Sequence, residues 1–341
     1  MLTVVSYLFS LLLKRRSNAF LHANGNLTSD QLVRLSSSSA CQLLEMVKSI
    51  IPELHHGMHK GQAGRVAIVG GCKEYTGAPY FAAISALKVG ADLSHVFCTG
   101  DAAPVIKSYS PELIVHPILD NNNVLSELSE WLPRFHVLVI GPGLGREEQL
   151  MKTTAAVILR AKERQLPLII DADGLYLVTQ DPSIIYGYDN VILTPNVAEF
   201  GRLYKKIFSR DPDPQESVTN VKQLSREMGN VTIVQKGAQD IISNGEHVLI
   251  CTEPCSPRRC GGQGDLLSGS MGTFSVWASM AGESQLQCSL VSTYGRGMCA
   301  AYAACLLTRR CNSLAFKSHG RSMTTTDMIS QIHSAFEGLF S

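Results

Sequence analysis

Short apolar runs alternate with longer stretches of helical periodicity from residue 65 onward, and this alternation constrains the fold more than any other feature. The clearest runs are Val66–Val69, Val137–Ile140, Pro167–Ile170 and Val191–Leu193, and each is followed by a turn and a candidate helix. Strands that are apolar along their whole length are typical of a parallel sheet buried on both faces. The sequence therefore predicts an α/β fold with helices on both sides of a mostly parallel sheet.

Two later regions refine this prediction. Ile241–Ile242 and Val248–Ile250 flank the dipeptide Asn244-Gly245, which is a strong signal for a tight β-hairpin. The C-terminal third has helical periodicity, including Leu290–Leu307 and Thr326–Phe340. We therefore expect an antiparallel strand pair late in the sheet, followed by helices.

The N-terminal region has the composition of a leader. Residues 1–13 are almost all apolar, basic residues occupy positions 14–16, and no acidic residue precedes Asp30. A secretory signal would carry its positive charge before the apolar run, and a membrane span would need about 20 apolar residues. We expect residues 1–40 to be a mitochondrial transit segment and linker, with a cytoplasmic or endoplasmic reticulum location as alternatives. Residues 41–341 would then form a single domain.

Charge and cysteine content exclude several classes of protein. The formal net charge of +1 provides no basic excess for a nucleic-acid partner. The ten cysteines include no C-x-x-C pair, so we expect reduced and mostly buried thiols. His55, His56 and His59 are close in sequence, but Pro52 and Gly57 interrupt any helix that could align them on a metal. We expect small-molecule ligands and no membrane span in the mature protein; a homo-oligomer is left open.

Glycine and polar residues follow the predicted strands directly. They comprise Gly70-Gly71, Gly141–Gly145, Asp171–Gly174, Thr194–Glu199 and Lys236-Gly237. In parallel sheets, ligands bind beyond the carboxyl ends of the strands. The sequence therefore predicts that these turns assemble one ligand site.

The stretch Ser256–Asp265 is the most informative part of the chain. Glycines at positions 261, 262 and 264 leave the backbone free of Cβ atoms, so that successive amides can converge on an anion. The apolar run after Asp265 predicts a helix whose N-terminus adds positive partial charge there and lowers the pKa of Asp265. Asp265 could then deprotonate a hydroxyl. The alternative is a tight turn in which Asp265 only caps the helix.

Two common nucleotide-binding motifs are not matched. The chain contains no G-x-x-x-x-G-K-[ST] sequence, so this is not a Walker A loop. Gly141–Gly145 reads G-x-G-x-G rather than G-x-G-x-x-G, which disfavours a dinucleotide-binding dehydrogenase. The same five residues fit a sharp turn from strand to helix or a close approach of backbone to a ligand.

Other polar residues at the strand ends also allow two interpretations. Asn196 could cap a helix on which Glu199 holds Mg²⁺ one turn later. Lys236 could meet a phosphate or be solvated. Asp171 and Asp173 could bind Mg²⁺ or ribose hydroxyls, or simply close a turn.

These motifs, taken together, resemble a known superfamily. G-G-x-G-D opening a helix, with N-x-x-E upstream, is similar to the ribokinase-like kinases, and the whole pattern is closely similar to the ATP-dependent (S)-NAD(P)H-hydrate dehydratases. The resemblance implies a ribokinase-like three-layer α/β/α sandwich with a mostly parallel central sheet and a late antiparallel hairpin. The matching pieces are His59–Gln62, Val69–Gly71, Tyr75–Pro79, Gly141–Gly145, Asp171–Gly174, Leu193–Asn196, Lys236-Gly237, Arg258–Gly269 and Gly320–Asp327.

The resemblance also implies roles for particular residues, with Asp265 as the catalytic residue. The residues implied to bind the hydrated nicotinamide nucleotide are Gly143, Asn196, Val197, Ala198, Glu199, Phe200, Gly201, Arg202 and Asp265. The residues implied to bind ATP are Lys236, Gly237, Ala238, Gln239, Asp240, Cys255, Ser256, Pro257, Arg258, Arg259, Cys260, Gly261, Gly262, Gln263 and Gly264. Mg²⁺ is the implied cofactor, with Glu199 as a candidate ligand, and ATP is the implied co-substrate.

The implied reaction is a repair reaction of the hydro-lyase class. The C6 hydroxyl of (6S)-hydrated NADH or NADPH is phosphorylated by ATP, and loss of phosphate restores the reduced nucleotide. Two other functions remain open for the same fold. The first is a kinase of small alcohols or vitamins, and the second is a catalytically silent nucleotide-binding partner.

Overall fold

Nine strands form one sheet within residues 41–281 and 289–341, the part of the chain that the computed structural model describes. The strands are β1 (Arg65–Val69), β2 (Leu93–Cys98), β3 (Ile114–Pro117), β4 (Val137–Ile140), β5 (Leu168–Ile170), β6 (Val191–Leu193), β7 (Thr232–Gln235), β8 (Asp240–Ser243) and β9 (Val248–Cys251). Their order across the sheet is β3-β2-β1-β4-β5-β6-β7-β8-β9. The strands from β3 to β7 in this order pair in parallel, and β8 and β9 add antiparallel pairings.

The helices alternate with the parallel strands, as the sequence pattern predicts. They are α1 (41–50), α2 (Gly77–Val89), α3 (Ala103–Tyr109), α4 (Val124–Trp131), α5 (Glu148–Glu163), α6 (Ala172–Gln180), α7 (Val197–Phe208), α8 (Ser217–Glu227), α9 (Gln263–Met280), α10 (Ser289–Tyr294), α11 (Arg296–His319), α12 (Thr325–Ser330) and α13 (Ile332–Phe340). No helix within the two described ranges is both long enough and apolar enough to span a bilayer. The predicted leader and linker, residues 1–40, lie outside the described residues.

Helices α4 to α8 cover one face of the sheet. Alternate strand residues such as Val69, Leu138 and Ile170 join helix residues such as Leu128 and Leu224 in one buried cluster. Since successive strand residues point to opposite faces, the intervening residues form the core on the other side. Burial on both faces explains why these strands read as continuous apolar runs.

Helix α9 packs on the opposite face, between α2 and α11. A Cβ atom at Gly272 would lie 3.2 Å from Cγ1 of Val66 and 3.1 Å from Cγ2 of Val139, so the helix lies directly on β1 and β4. A Cβ atom at Gly269 would lie 2.0 Å from the carbonyl oxygen of Ala82 in α2. This close packing fixes the position of the α9 N-terminus, where Asp265 lies. The predicted three-layer α/β/α arrangement is confirmed.

The late hairpin is also confirmed, because β8 and β9 flank Asn244-Gly245 as predicted. The C-terminal helices begin and end at residues other than those predicted. The single predicted helix Leu290–Leu307 is divided between α10 and α11 at Gly295, whose φ is +83°. The predicted helix Thr326–Phe340 is divided between α12 and α13 at Gln331.

Two strands were not predicted. Strand β2 contains His95 and β3 contains His116, and these polar residues interrupt what would otherwise be apolar runs. The two rings stack at a centroid distance of 5.2 Å, and their Nδ1 and Nε2 atoms lie 2.9 Å apart. The two histidines hydrogen-bond to each other in a partly buried position, and sequence periodicity does not reveal this interaction.

Candidate active site

A cavity of about 750 Å³ lies at the carboxyl ends of β5, β6 and β7, the edge of the sheet where the sequence predicts a ligand site. The first turn of α9 and one face of α11 complete its walls. The predicted site residues that line the cavity are Asn196, Val197, Ala198, Glu199, Lys236, Gly237, Ala238, Asp240, Cys255, Arg259, Cys260, Gly262, Gln263, Gly264 and Asp265. Most of the residues proposed for ATP therefore lie in the same cavity as those proposed for the nucleotide substrate.

Asn196 begins helix α7 at the cavity wall. Its Oδ1 accepts hydrogen bonds from the backbone N–H of Ala198 and Glu199, both at 3.0 Å. The Glu199 carboxylate in turn accepts from the backbone N–H of Asn196 at 2.8 Å. This is a capping box, so the predicted capping role of Asn196 is confirmed. The box fixes the Glu199 carboxylate beside the cavity.

Lys236 follows β7 and forms an ion pair across the cavity floor. Its Nζ lies 2.9 Å from Oδ1 of Asp171, and the two side chains are 21% and 3% exposed. Burial alone lowers the pKa of Lys236, but the negative charges of Asp171, Glu199 and Asp265 outweigh it and hold the pKa above its usual value. Lys236 is therefore a charged lysine among three carboxylates rather than a solvated strand-end residue.

Asp265 is the third residue of α9 and is half-buried in the cavity wall. Burial raises its pKa well above the usual value, the nearby negative charge of Asp171 raises it further, and Lys236 opposes both effects. The predicted lowering of the Asp265 pKa by the helix N-terminus is therefore wrong. Loss of water around the carboxylate outweighs the helix dipole, whose effect on a side chain is commonly below about 1–2 kcal/mol.

The glycine-rich turn lies directly over the ion pair. A Cβ atom at Gly264 would lie 3.4 Å from Nζ of Lys236 and 3.6 Å from Oδ2 of Asp171. On the other side of the turn, the Thr325 hydroxyl donates to the carbonyl of Gly261 at 2.6 Å. The turn is therefore anchored to α12 and brings the backbone of Gly264 next to a lysine, an arrangement suited to phosphate.

Some predicted site residues lie outside the cavity lining. Gly143 packs against Tyr75 and Pro79, and its carbonyl accepts from the N–H of Gly71 at 3.1 Å. Phe200 is buried at 1% exposure, with its ring 5.8 Å from that of Tyr204. The remaining predicted residues that do not line the cavity are Gly201, Arg202, Gln239, Ser256, Pro257, Arg258 and Gly261. Their roles as ligand contacts stay predictions.

Asp171 and Asp173, which the sequence left open, have different roles. Asp171 faces the cavity as the partner of Lys236. Asp173 accepts from the backbone N–H of Gly145 at 3.0 Å and from Nε of Arg146 at 2.9 Å. Its contacts therefore close the turn after β4.

Sequence reasoning missed part of the cavity wall. The missed lining residues are Leu267, Thr308, Arg309, Asn312 and Met328. One of them, Arg309, has a signal in the sequence, because it is a charged residue that closely follows an Ala- and Cys-rich helical stretch, and the structure shows that it is buried. A charge is seldom buried in such a helix without a specific partner.

Solved structures of known proteins share this fold. A ribokinase-like superfamily protein of Enterococcus faecalis superposes with a TM-score of 0.69 at 21% identity, covering 87% of this chain and 94% of that one. The ADP/ATP-dependent NAD(P)H-hydrate dehydratase of Bacillus subtilis, co-crystallised with ATP and Mg²⁺, superposes with a TM-score of 0.62 at 19% identity. That superposition covers 86% of this chain and 97% of the bacterial one. At these identities the two comparisons establish the ribokinase-like fold.

Sequence comparison establishes the family. The human ATP-dependent (S)-NAD(P)H-hydrate dehydratase is 55% identical over 297 residues, which cover 87% of this chain and 84% of the human protein. A family profile described as NAD(P)H-hydrate dehydratase matches residues 66–334, which include every strand of the sheet except the first residue of β1. The chain therefore belongs to the NAD(P)H-hydrate dehydratase family.

Proposed function

We propose that this protein uses ATP to restore NADH and NADPH from their (6S)-hydrated forms, through phosphorylation of the C6 hydroxyl and loss of phosphate. Family membership supports the dehydratase activity and ATP as co-substrate. The observation that carries the chemistry is the position of Asp265, which lies in the cavity at the start of α9, beside the glycine turn and the Lys236–Asp171 pair.

Asp265 acts as the base in this proposal. The C6 hydroxyl loses its proton to the Asp265 carboxylate as its oxygen attacks the γ-phosphorus of ATP, and ADP leaves. A carboxylate with a raised pKa is a stronger base than an exposed one, so burial of Asp265 favours this proton transfer. Hydroxide is a poor leaving group and phosphate is a good one, which gives ATP its function in the reaction.

The cavity also stabilises the negative charge that moves during transfer. The ammonium of Lys236 and the turn residues Gly262, Gln263 and Gly264 line the cavity together with Asp265, and their N–H groups are the proposed donors to the transferring phosphate. Preorganised donors of this kind are the main source of catalysis in phosphoryl transfer. Once C6–O carries phosphate, the lone pair of the adjacent ring nitrogen expels it, and the proton at C5 is lost to complete the double bond.

Mg²⁺ is proposed as the cofactor, with Glu199 holding it together with the ATP phosphates. Within the described residues, no group of three or more His, Cys, Asp or Glu side chains could hold a metal by itself. Mg²⁺ commonly uses one or two carboxylates with substrate phosphates, which the Glu199 carboxylate at the cavity wall fits. When bound, Mg²⁺ neutralises part of the phosphate charge.

The competing function on this fold is that of a small-alcohol kinase. The two reactions share the transfer step and differ in their products, since a simple alcohol lacks the ring nitrogen that expels phosphate. Purified protein with ATP, Mg²⁺ and hydrated NADH should release one inorganic phosphate for each NADH restored, measured by phosphorus NMR and by absorbance of the reduced nicotinamide. A stable phosphomonoester without NADH would make the protein a kinase.

Residues 1–40 are proposed to direct the protein to mitochondria. The proposal rests on the acid-free start with its three basic residues at positions 14–16. A fluorescent fusion of the full chain should enter mitochondria, and a fusion lacking residues 1–40 should not. Diffuse cytosolic or reticular fluorescence of the full-length fusion would contradict this assignment.

A further inference from the structure

Arg309 is a buried arginine of helix α11 that the reaction above does not use. Its side chain is 7% exposed and lies at the back of the cavity. The Nε donates to Oδ2 of Asp240 at 2.7 Å, and Nη2 donates to the carbonyls of Gly237 at 2.9 Å and Ala238 at 3.0 Å. The Nη1 donates to the carbonyl of Glu253 at 3.2 Å and to the Sγ of Cys255 at 3.3 Å.

These contacts account for the hydrogen-bonding capacity of the side chain. A guanidinium carries five N–H groups, and Arg309 has five acceptors within hydrogen-bond distance. The Asp240 carboxylate balances its charge at a distance of 2.7 Å. Arg309 therefore has neither a spare donor nor an unbalanced charge with which to bind a phosphate.

The acceptors belong to two separate segments of the cavity wall. Gly237 and Ala238 lie in the turn between β7 and β8 and Asp240 is the first residue of β8, whereas Glu253 and Cys255 follow β9. Both segments are among those proposed to bind ATP. Arg309 thus joins two walls of one site through a single rigid group.

The same face of α11 holds the beginning of the glycine-rich stretch. Asn312, three residues after Arg309, accepts from the N–H of Ser256 at 2.7 Å through its Oδ1. Its Nδ2 donates to the carbonyl of Arg258 at 3.4 Å. The side chains of the α11 turn from Arg309 to Asn312 therefore hydrogen-bond to the backbone on both sides of the space proposed for ATP.

We propose that Arg309 is a positioning residue for ATP, which fixes the distance between the β7–β8 turn and the segment after β9 without contacting the nucleotide. The inference rests on the proposed ATP site and adds a residue to it. Lysine cannot replace arginine here, because it has three donors on one nitrogen and cannot reach acceptors on both segments at once. The expected loss is therefore in ATP affinity rather than in the chemical step.

The test compares Arg309→Lys and Arg309→Met with Arg310→Met as the matched control. Arg310 is the next residue of α11 and pairs with Glu253 at 2.6 Å, but it does not line the cavity. For both Arg309 variants, we expect the KM for ATP and the calorimetric Kd for ATP to rise by about 10- to 100-fold. At saturating ATP, kcat should stay within about threefold of the unsubstituted enzyme, as expected when only binding is lost. The control should keep its ATP affinity.

Several results would overturn this proposal. They are an unchanged ATP affinity in a folded Arg309 variant, a fall in kcat at unchanged KM, or an equal loss of affinity in Arg310→Met. If neither Arg309 variant folds, the residue serves folding and the proposal is likewise overturned. Calorimetry with ATP alone separates this inference from the proposed function. Unsubstituted protein that binds ATP but restores no NADH would refute the dehydratase reaction and leave the comparison of ATP affinities intact.

Discussion

The two glycine-rich turns, Gly141–Gly145 and Gly261–Gly264, have similar compositions and different physical purposes. In the first turn, Gly141 has a φ of +118°, and a Cβ atom there would lie 1.9 Å from the carbonyl oxygen of Asp171. In the second, a Cβ atom at Gly261 would meet no protein atom within 4 Å, among the residues that the structure describes. Glycine is thus required in the first turn by the protein's own packing, whereas Gly261 borders open space beside the cavity.

The acidic residues that lie beside the two turns differ in the same way. Asp173 and Asp265 both lie in the first turn of a helix. Asp173 is satisfied by Gly145 N–H and the Arg146 side chain, so it stabilises the turn. Asp265 has a strongly raised pKa in a cavity wall, which is costly for folding. A glycine-rich motif therefore marks a ligand site only where the charged groups beside it face a cavity.

The largest expected effect comes from substituting Asp265, with Asp173 as the comparison. Asp265→Asn should lower kcat by about 10²–10⁴-fold, the usual contribution of a general base, and leave the calorimetric ATP affinity nearly unchanged. Asp173→Asn should lower the unfolding temperature and keep kcat within about tenfold, because it replaces one of the two accepting oxygens that close the first turn with an NH2 donor and removes the charge paired with Arg146. Steady-state kinetics and thermal unfolding measure both. Turnover of Asp265→Asn within about threefold of the unsubstituted enzyme would show that Asp265 is only a helix cap.

Asp265→Asn should also stabilise the protein at neutral pH. The pKa of Asp265 is raised in the folded state, so its contribution to stability is fully present below the unfolded value of about 3.9 and is lost as pH rises through the folded value. Because asparagine does not ionise, the variant does not lose this stability as the pH rises. The variant should therefore unfold at a higher temperature than the unsubstituted protein at pH 7, with the difference disappearing in acid. A lower unfolding temperature at pH 7 would contradict the raised pKa.

The sequence predicts the fold well because burial on both faces produces continuous apolar strands. Strands β4 and β6 have the predicted boundaries, and the rule that ligands bind at strand ends locates the cavity. The strands containing His95 and His116 escape prediction because these histidines interrupt the apolar runs and pair with each other across neighbouring strands.

The parts of the site that the sequence did not predict escape prediction for the same physical reason, which is pairing between residues that are distant in the chain. The Lys236–Asp171 pair joins residues 65 positions apart, and the Arg309–Asp240 pair joins residues 69 positions apart. Local periodicity carries no information about such pairs. The sign of the Asp265 pKa shift also depends on burial, which is a property of the packed structure.

Alanine substitutions in the two turns test the difference between them directly. Gly141→Ala should destabilise the protein by more than about 3 kcal/mol, because the new methyl group meets backbone and the positive φ is strained. Gly261→Ala should fold with nearly unchanged stability, because its methyl group meets no described atom within 4 Å, and should raise the KM for ATP several-fold, because the family resemblance places Gly261 among the ATP-binding residues. Urea unfolding and ATP-dependent kinetics are the measurements. A Gly261→Ala variant with unchanged KM would remove this turn from the ATP site.

Gly262 is a less selective position for this test than its sequence motif indicates. From sequence alone, Gly262→Val is expected to impair ATP use more than stability. Its φ is +93°, and a Cβ atom there would lie 2.8 Å from Cδ2 of Phe81 and 2.9 Å from Oγ1 of Thr325. Valine would therefore strain the fold as well, which leaves Gly261→Ala as the cleaner substitution.

The smallest expected effect is a shift in pH dependence caused by Asp171→Asn. The acid limb of kcat/KM should report ionisation of Asp265 and should lie above the usual aspartate pKa of about 3.9, because burial and Asp171 both raise the pKa of Asp265. Removing the Asp171 charge takes away one raising effect and releases Lys236 from its ion pair, so that its ammonium stabilises the Asp265 carboxylate more strongly. Both changes lower the pKa of Asp265 and move the acid limb to lower pH. Asp211→Asn, which removes an exposed carboxylate paired with Lys205, is the control and should leave the limb in place. An acid limb that stays in place or moves to higher pH in Asp171→Asn would show that these two aspartates do not share one electrostatic environment.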